Sequence, residues 1–427
     1  LVLAAFYLFP KFLTIPTDAS QRDHAEGTMP SFGGTRMLIP NKMKFITEQP
    51  AIDRKARQRQ PLPQHVLRPS YLVAASAVLL WSMTFAARAE DDQRLYRSAY
   101  YLGRGDTGLA IADDAEAVMY NPAGIAQGKG IYKRVILASP MFEASDDARN
   151  LAKELSQDNS DIPTILKKRV GKNEHIGTYN LTSIVLRRAA IGVFNGVTSD
   201  ILIHKSVEAG GLEGVNARLV SSNGAVFAVA QDFFNQQLMV GANLKYMHRG
   251  EANLEANITD ADNLKNMQSD NMLGVGMGTS TDLGVMWKIP GRMETSIGAT
   301  INNVGGTKFS PSNDEAPAPK NLKQLVNLGV AIQPGTRISR FRLLAEYWDA
   351  TNQLEQSRLS KLHLGAELAV KDIIGVTAGL SEGWSSGGIY LDLYAIRLDA
   401  GIYIQEMSDR VGVRPDKRIF FRLTAGF

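Results

Sequence analysis

The segment KQLVNLGVAIQ alternates without a break, with Val326, Leu328, Val330 and Ile332 on one side and Leu325, Asn327, Gly329 and Ala331 on the other. A two-residue period belongs to a β-strand, whose successive side chains leave on opposite faces. The period recurs in KLHLGAELAV, where Leu362, Leu364, Ala366, Leu368 and Val370 alternate with Lys361, His363, Gly365 and Glu367. It recurs again at the C-terminal end, where Ile419, Phe421, Leu423, Ala425 and Phe427 alternate with Arg418, Phe420, Arg422, Thr424 and Gly426. One face is apolar and the other carries charge.

The connections carry a second signal. Short ones fall at Arg187-Arg188, Asp232 to Gln237, Pro290 to Arg292, Gln333 to Arg337, Lys371-Asp372 and Arg397. Long polar ones fall at Ser145 to Lys172, Thr198 to Leu212, Glu251 to Leu273, Gly305 to Asn321, Ala350 to Arg358, Ser381 to Ser386 and Met407 to Asp416. The two kinds alternate, as in an outer-membrane barrel with tight periplasmic turns and longer outer loops. The strands between them are expected at 131–143, 174–186, 189–204, 213–231, 237–250, 276–289, 293–304, 322–332, 338–349, 359–370, 373–380, 387–396, 398–406 and 417–427. An even count suits closure, and closure matters because an unpaired backbone group facing lipid costs several kcal/mol. This layout places both chain ends in the periplasm.

A soluble β-sandwich also alternates, with its apolar faces meeting in a core. The regular spacing of turns and loops, the ending on an alternating strand and an upstream export signal favour the membrane barrel. Trp287, Tyr246, Tyr347, Tyr394 and Phe421 suit interfacial girdles. Phe421, Leu423 and Phe427 form the terminal pattern expected to engage the barrel assembly machinery.

The export signal lies inside the numbered chain. Arg68 precedes the apolar run YLVAASAVLLWSMTF, followed by Ala87-Arg88-Ala89 and then acidic residues. That is a secretory signal segment over 68–89, too short to span as a helix, with a mature start at about Glu90. Residues 1–67 read as an over-extended start, the real one lying at Met43 or near Val66 or Leu67. With 47 basic and 43 acidic residues the formal charge is +4 and no basic face is concentrated, so nucleic acid is not indicated. The absence of cysteine excludes thiolate catalysis and Cys-ligated zinc.

Between the signal and the first strand lies GRGDTGLAIADDAEAVMYNPAGIA. Its Gly103, Gly105, Gly108, Ala112, Asp113, Asp114, Ala115, Ala117, Tyr120, Asn121, Pro122, Ala123 and Gly124 resemble the N-terminal signature of the FadL-type outer-membrane transport superfamily, which includes PorV-like and TraF-like barrels. The resemblance implies an all-β, fourteen-stranded antiparallel transmembrane barrel over 131–427. It also implies a small hatch, residues 90–130, tucked inside. A helical turn over Asp114 to Met119, ended by Asn121-Pro122, fits that use, since a residue before proline leaves the helical region. Gly103, Gly105, Asp113, Asp114, Tyr120, Asn121, Pro122 and Ala123 are the candidate hatch residues. The tripeptide Arg104-Gly105-Asp106 is set aside as chance.

In FadL-type channels the third strand is kinked and opens the wall sideways. Here it contains Asn195-Gly196, a pair that suits a bulge and is therefore the candidate lateral gate. A hairpin at that pair would leave strands too short to span. Asn223-Gly224 in the next strand is a similar pair.

If the apolar stripes face lipid, the interior receives Lys245, Arg249, Asp282, Lys288, Glu294, Arg340, Arg342, Glu346, His363, Glu367, Asp392, Asp399 and Arg422. Opposite signs are interspersed, as in a salt-bridged, hydrated lumen. A greasy pocket would then have to come from the hatch and from loops such as Ile162 to Val170 or Asn271 to Met277.

Catalysis finds little support: there is no His-Glu-x-x-His and no Gly-x-x-x-x-Gly-Lys, and GVGMGTS at Gly274 lacks the lysine and the setting. A lipase would need a serine within reach of His363. No metal or cofactor is expected. Two functions follow: passive uptake of hydrophobic small molecules such as fatty acids, with lateral exit near strand three, or an accessory barrel of a secretion or conjugation system. The expected partners are outer-membrane lipids, the assembly machinery, a hydrophobic ligand and, on the second reading, secretion or conjugation proteins.

Overall fold

The computed structural model describes residues 93–127, 135–155, 162–205, 213–257, 273–312, 318–334, 339–408 and 410–426. Residues 1–67, the signal segment, Glu90 and Phe427 lie outside the described residues. No described helix is long and apolar enough to cross a membrane.

The strands, in chain order, are β1 Val135–Ala138, β2 Met141–Ser145, β3 Asn173–Val185, β4 Ala189–Lys205, β5 Glu213–Phe233, β6 Leu238–Asn257, β7 Leu273–Ile289 and β8 Thr295–Asn302. Then come β9 Ser310–Pro311, β10 Leu325–Ile332, β11 Ser339–Tyr347, β12 Leu362–Val370, β13 Ile374–Ser381, β14 Trp384–Asp392, β15 Ile396–Glu406 and β16 Pro415–Gly426. Each pairs antiparallel with its neighbour, and β16 returns to pair with both β1 and β2. The sheet therefore has no free edge. Two-residue β9 sits off the path, and β1 with β2 make one interrupted wall strand, so the wall is a closed cylinder of fourteen strands.

Side-chain burial follows the alternation. Phe142 is 58 % exposed and Phe421 49 %, whereas His363 is 0 % and Glu367 1 %. Trp287, Tyr246 and Tyr394 are exposed, Leu423 faces outward beside Phe421, and Tyr347 is half-buried. An apolar exterior around a polar interior is the arrangement a bilayer stabilises, because hydrocarbon solvates the first and excludes the second.

Four sequence expectations need correction. The first wall strand is broken at Ser139-Pro140. Proline cannot donate to the ladder, and the Ser139 hydroxyl takes its place, accepting the Leu181 N–H at 3.0 Å and donating to the Leu181 carbonyl at 2.9 Å. The expected long loop Ser381 to Ser386 is a two-residue turn at Glu382 and Gly383, with φ of 54° and 80°, and the ladder runs out to Ser381 opposite Trp384. Such a left-handed pair matches the strand twist, so the regular alternation of long and short connections fails there. The turn expected at Arg397 lies at 393–395 instead. Arg397 belongs to β15, opposite Asp392.

The fourth correction concerns Asn195-Gly196. β4 pairs with β3 from Ala190 to Leu202 and with β5 from Ala189 to Lys205, with no shift in register on either side. Neither bulge nor hairpin is present. A Cβ on Gly196 would lie 2.8 Å from the Tyr179 ring and 3.2 Å from the Leu95 carbonyl, so the glycine makes room for the segment inside the barrel.

Candidate functional site

Residues 93–127 fill the lumen. The described chain begins at the long-loop end, where the Gln93 side chain accepts the Lys323 N–H at 2.6 Å. This is the end opposite Gly426, which pairs with Ile136 of the first wall strand. The segment descends through a helical turn at Ala99–Leu102, a second at Ala117–Tyr120 and a 3-10 helix at Pro122–Gln127. Asn121, at φ −148°, leaves the helical region ahead of Pro122.

Glycines on the inner faces of the strands let this backbone lie against the wall. A Cβ on Gly379 would come closer than 3.0 Å to Gly105, one on Gly365 to Arg104, one on Gly298 to Leu109, one on Gly284 to Asn121 and one on Gly241 to Pro122. Gly241 lies opposite Gly284, Gly298 opposite Gly329 and Gly365 opposite Gly379, so the glycines form a belt across neighbouring strands. Sequence reasoning missed the belt. Its signal was present: glycine at inward positions of alternating strands, where a lipid-facing side chain is not at stake.

Charged lumen residues then fasten the hatch. Glu367 accepts Tyr100 Oη at 2.6 Å, Arg104 at 2.8 Å and Tyr390 Oη at 2.8 Å, with Arg340 at 3.4 Å and Arg342 at 3.5 Å. Arg342 reaches Asp113 at 2.5 Å. Glu346 accepts the backbone N–H groups of Gly108 and Leu109, each at 2.7 Å, and the Trp348 indole at 3.0 Å. Arg422 bonds Glu116 of the hatch and Asp399 of β15. Asp399 also holds Arg397, which reaches Asp392 at 3.6 Å. The Gly105 N–H donates to Ser386 Oγ at 2.9 Å, and His363 Nδ1 lies 3.0 Å from the Gly105 carbonyl. Gly103 packs against Gly388 and Thr377.

Of the lumen residues read from sequence, Arg340, Arg342, Glu346, His363, Glu367, Asp392, Asp399 and Arg422 thus gather around the hatch. Lys245 bonds Asp282 at 2.8 Å and Asn303 at 3.3 Å, and Arg249 reaches Ser222 at 3.4 Å, both in other parts of the lumen. The hatch partners Tyr100, Arg104 and Glu116 were not singled out. In an unaligned sequence they look like any surface residues.

Asp114 differs from its neighbours Asp113 and Glu116 in having no arginine among its hydrogen-bond partners. Its carboxylate accepts Tyr101 Oη at 3.2 Å and the Glu116 N–H at 2.9 Å. Burial, then the charges of Glu116 and Asp113, push its carboxyl up to about 7. Burial and the Asp114 charge push the Tyr101 phenol up as well, so it remains a donor.

Two cavities flank the hatch. One of about 80 Å³, at the short-turn end, is lined by Asp113, Asp114, Glu116, Arg342, Arg397 and Arg422. The other, about 70 Å³, lies toward the long loops between Leu95, Tyr96, Leu109, Met119, Leu325 and Trp348, with Lys245 and Asn302 at its polar side. Its grease comes from the hatch and from β10. Ile165 and Val170, expected to supply it, pack instead with Ile201, Ile203 and Val215. Ile201 and Ile203 of β4 alternate with inward-facing Phe194 and Gly196, and Val215 of β5 lies opposite Ile203, so these side chains leave on the outer face of the wall.

Ser381 Oγ lies 3.1 Å from His363 Nδ1. The same nitrogen faces the Gly105 carbonyl, which can only accept, so Nδ1 carries the proton and has no lone pair to receive one from serine. Among the described residues no group of three or more His, Asp or Glu side chains could hold a metal ion.

No family model matches the chain, and no curated protein matches it. Solved structures do. The toluene transporter TodX of Pseudomonas putida is similar at a TM-score of 0.46 and 11% identity, over 78% of this chain and 98% of that one. The toluene transporter TbuX of Ralstonia pickettii is similar at 0.45 and 10%, over 78% and 98%. A Pseudomonas aeruginosa FadL homologue is similar at 0.34 and 12%, again over 78% and 98%. At these identities the likeness concerns fold alone. What the chain itself establishes is a closed fourteen-stranded antiparallel β-barrel with residues 93–127 packed in its lumen.

Proposed function

We propose that this protein is a FadL-type outer-membrane channel for the passive uptake of small hydrophobic molecules, gated by the hatch. The observation that carries the reading is the 70 Å³ amphipathic cavity held between hatch and long-loop end. A molecule entering from outside reaches this cavity first, and the fastened hatch then blocks its way to the short-turn end. An accessory barrel that only docks other proteins has no need of such a cavity.

A sideways exit at Asn195-Gly196 has no support in the unbroken pairing of β4. We place it at Ser139-Pro140, where side chains stand in for the ladder. No chemistry on the cargo is proposed, since the one serine–histidine pair described above is arranged for structure.

Uptake of single-ring hydrocarbons into outer-membrane vesicles, with and without the protein, tests the reading. Faster entry with the protein supports it. Equal entry, together with stoichiometric protein partners on purification, would replace it by the accessory role.

A further inference from the structure

We infer that the outer face of the wall over β3 to β6 docks an acylated, phosphorylated glycolipid of the outer leaflet. Its chain hydroxyl and amide groups meet a row of polar side chains, and its phosphates meet Lys167 and Lys168 above them. With the long loops outside, the inference holds whether or not the barrel is a channel.

Register sets the row. Asn180 of β3 lies opposite Asn195 of β4, Asn195 opposite Asn223 of β5, and Asn223 opposite His248 of β6. All four share the outer face, because the exposed Ile184, Val193, Phe227 and Tyr246 stand at alternate positions of the same strands. The four are half-buried. Asn180 Oδ1 accepts the Ser139 N–H at 2.9 Å, whereas Asn195, Asn223 and His248 make no side-chain hydrogen bond among the described residues.

Such a row is out of place on a wall that faces hydrocarbon. Toward the short turns the same outer faces carry Ile191, Val193, Phe227, Leu244 and Tyr246, all exposed. A polar group held against acyl chains without a partner is costly, so a lipid that brings donors and acceptors to that depth is favoured there. Amide and imidazole side chains both donate and accept. The ester carbonyls of a glycerophospholipid only accept, whereas hydroxyacyl chains joined to amino sugars bring O–H and N–H groups as well.

Charge is the second observation. Ile165 and Val170 pack on Ile201, Ile203 and Val215, which places the helix Ile162–Lys167 outside the wall. Ile201 lies about 20 Å beyond Asn195 along β4, at roughly 3.3 Å per residue. On a strand tilted by about 40° the helix therefore stands on the order of 15 Å nearer the outer water than the row. Around it Asp146 pairs with Arg149 at 3.2 Å and with Lys417 at 3.1 Å, Asp147 with Lys172 at 2.8 Å, and Glu154 with Arg169 at 3.0 Å. Lys167 and Lys168 are exposed and belong to no ion pair among the described residues. Unmatched ammonium groups above a polar row complement phosphates carried above acyl chains. A second copy of the chain does not fit, since a two-fold contact would set these lysines against their own counterparts.

Native mass spectrometry of the purified full-length barrel tests this with diphosphoryl lipid A, monophosphoryl lipid A and phosphatidic acid as added lipids. Diphosphoryl lipid A is expected to be retained about tenfold more tightly than phosphatidic acid, with the monophosphoryl form between them. Asn195→Leu combined with Asn223→Leu is expected to remove the preference for lipid A over phosphatidic acid. Lys167→Gln combined with Lys168→Gln is expected to remove only the preference for the second phosphate. Leucine suits a lipid-facing position, and unfolding temperatures establish that both variants keep the barrel. Equal retention of the three lipids, unchanged preferences in either folded variant, or a stoichiometric dimer that the leucine variant loses overturns the inference.

Discussion

The Arg104 guanidinium of the hatch meets the Glu367 carboxylate of β12 at 2.8 Å, with both side chains buried to 1 % exposure or less. A bond between two segments 263 residues apart, made where water does not reach, holds the hatch to the wall. The pair does not stand alone: Arg340, Arg342, Tyr100 and Tyr390 converge on the same two oxygens.

Removing that acceptor's charge leaves buried arginines without compensation, a change that costs about 3–5 kcal/mol in comparable buried pairs. Glu367→Gln is therefore expected to loosen the hatch while leaving the barrel closed. Hydrogen exchange of the amides from 99 to 109 should accelerate by two orders of magnitude or more, and the inter-strand ladder amides of the wall should not change. Unchanged protection of the hatch would show that the backbone contacts of Glu346 suffice.

Backbone approach gives an independent handle. A side chain on Gly379 would enter the space of Gly105, whereas one on Gly291 would meet nothing within 4 Å. Gly379→Val is expected to expel the segment around Gly105, seen as protease cleavage within 99–108 of the assembled barrel and a raised baseline conductance in planar bilayers. Gly291→Ala is expected to match the parent protein in both measurements.

The architecture was legible because the pleat has a period of two, so lipid-facing rows such as Ile419, Phe421 and Leu423 declare themselves in an isolated sequence. The hatch site was legible only in part. Asp113 and Glu367 are visible as charges, but that Arg342 joins them depends on two strands and a lumen segment meeting, which no local pattern encodes. Turns failed for a similar reason. Glu382-Gly383 is a tight turn because its residues take left-handed φ, and polar loop composition around it suggested a longer excursion.

Asn195-Gly196 illustrates the limit. A local dipeptide rule makes it a bulge or hairpin, whereas the structure uses Gly196 for clearance beneath Tyr179 and Leu95. Asn195→Ala is accordingly expected to leave uptake and thermal stability unchanged. Gly196→Val should displace the Leu95 segment, shrink the cavity that Leu95 lines and reduce uptake several-fold. Loss of uptake in the alanine variant would restore a gating role to the pair.

The final expectation concerns pH. Asp114 has an ordinary carboxyl value of 3.8 and is pushed up to about 7 in the hatch by burial and by Glu116 and Asp113. Between those values the docked hatch binds a proton that the released chain does not, so docking is favoured by acid, and this contribution is lost as pH rises from about 4 through about 7. A depressed carboxyl would give the opposite slope. Conductance should therefore increase, and hatch protection factors corrected for the intrinsic pH dependence of amide exchange should fall, as pH is raised from 5 to about 8, and Asp114→Asn, which cannot ionise, should flatten both profiles at the docked level. A profile that rises equally in the variant would assign the pH dependence to another group.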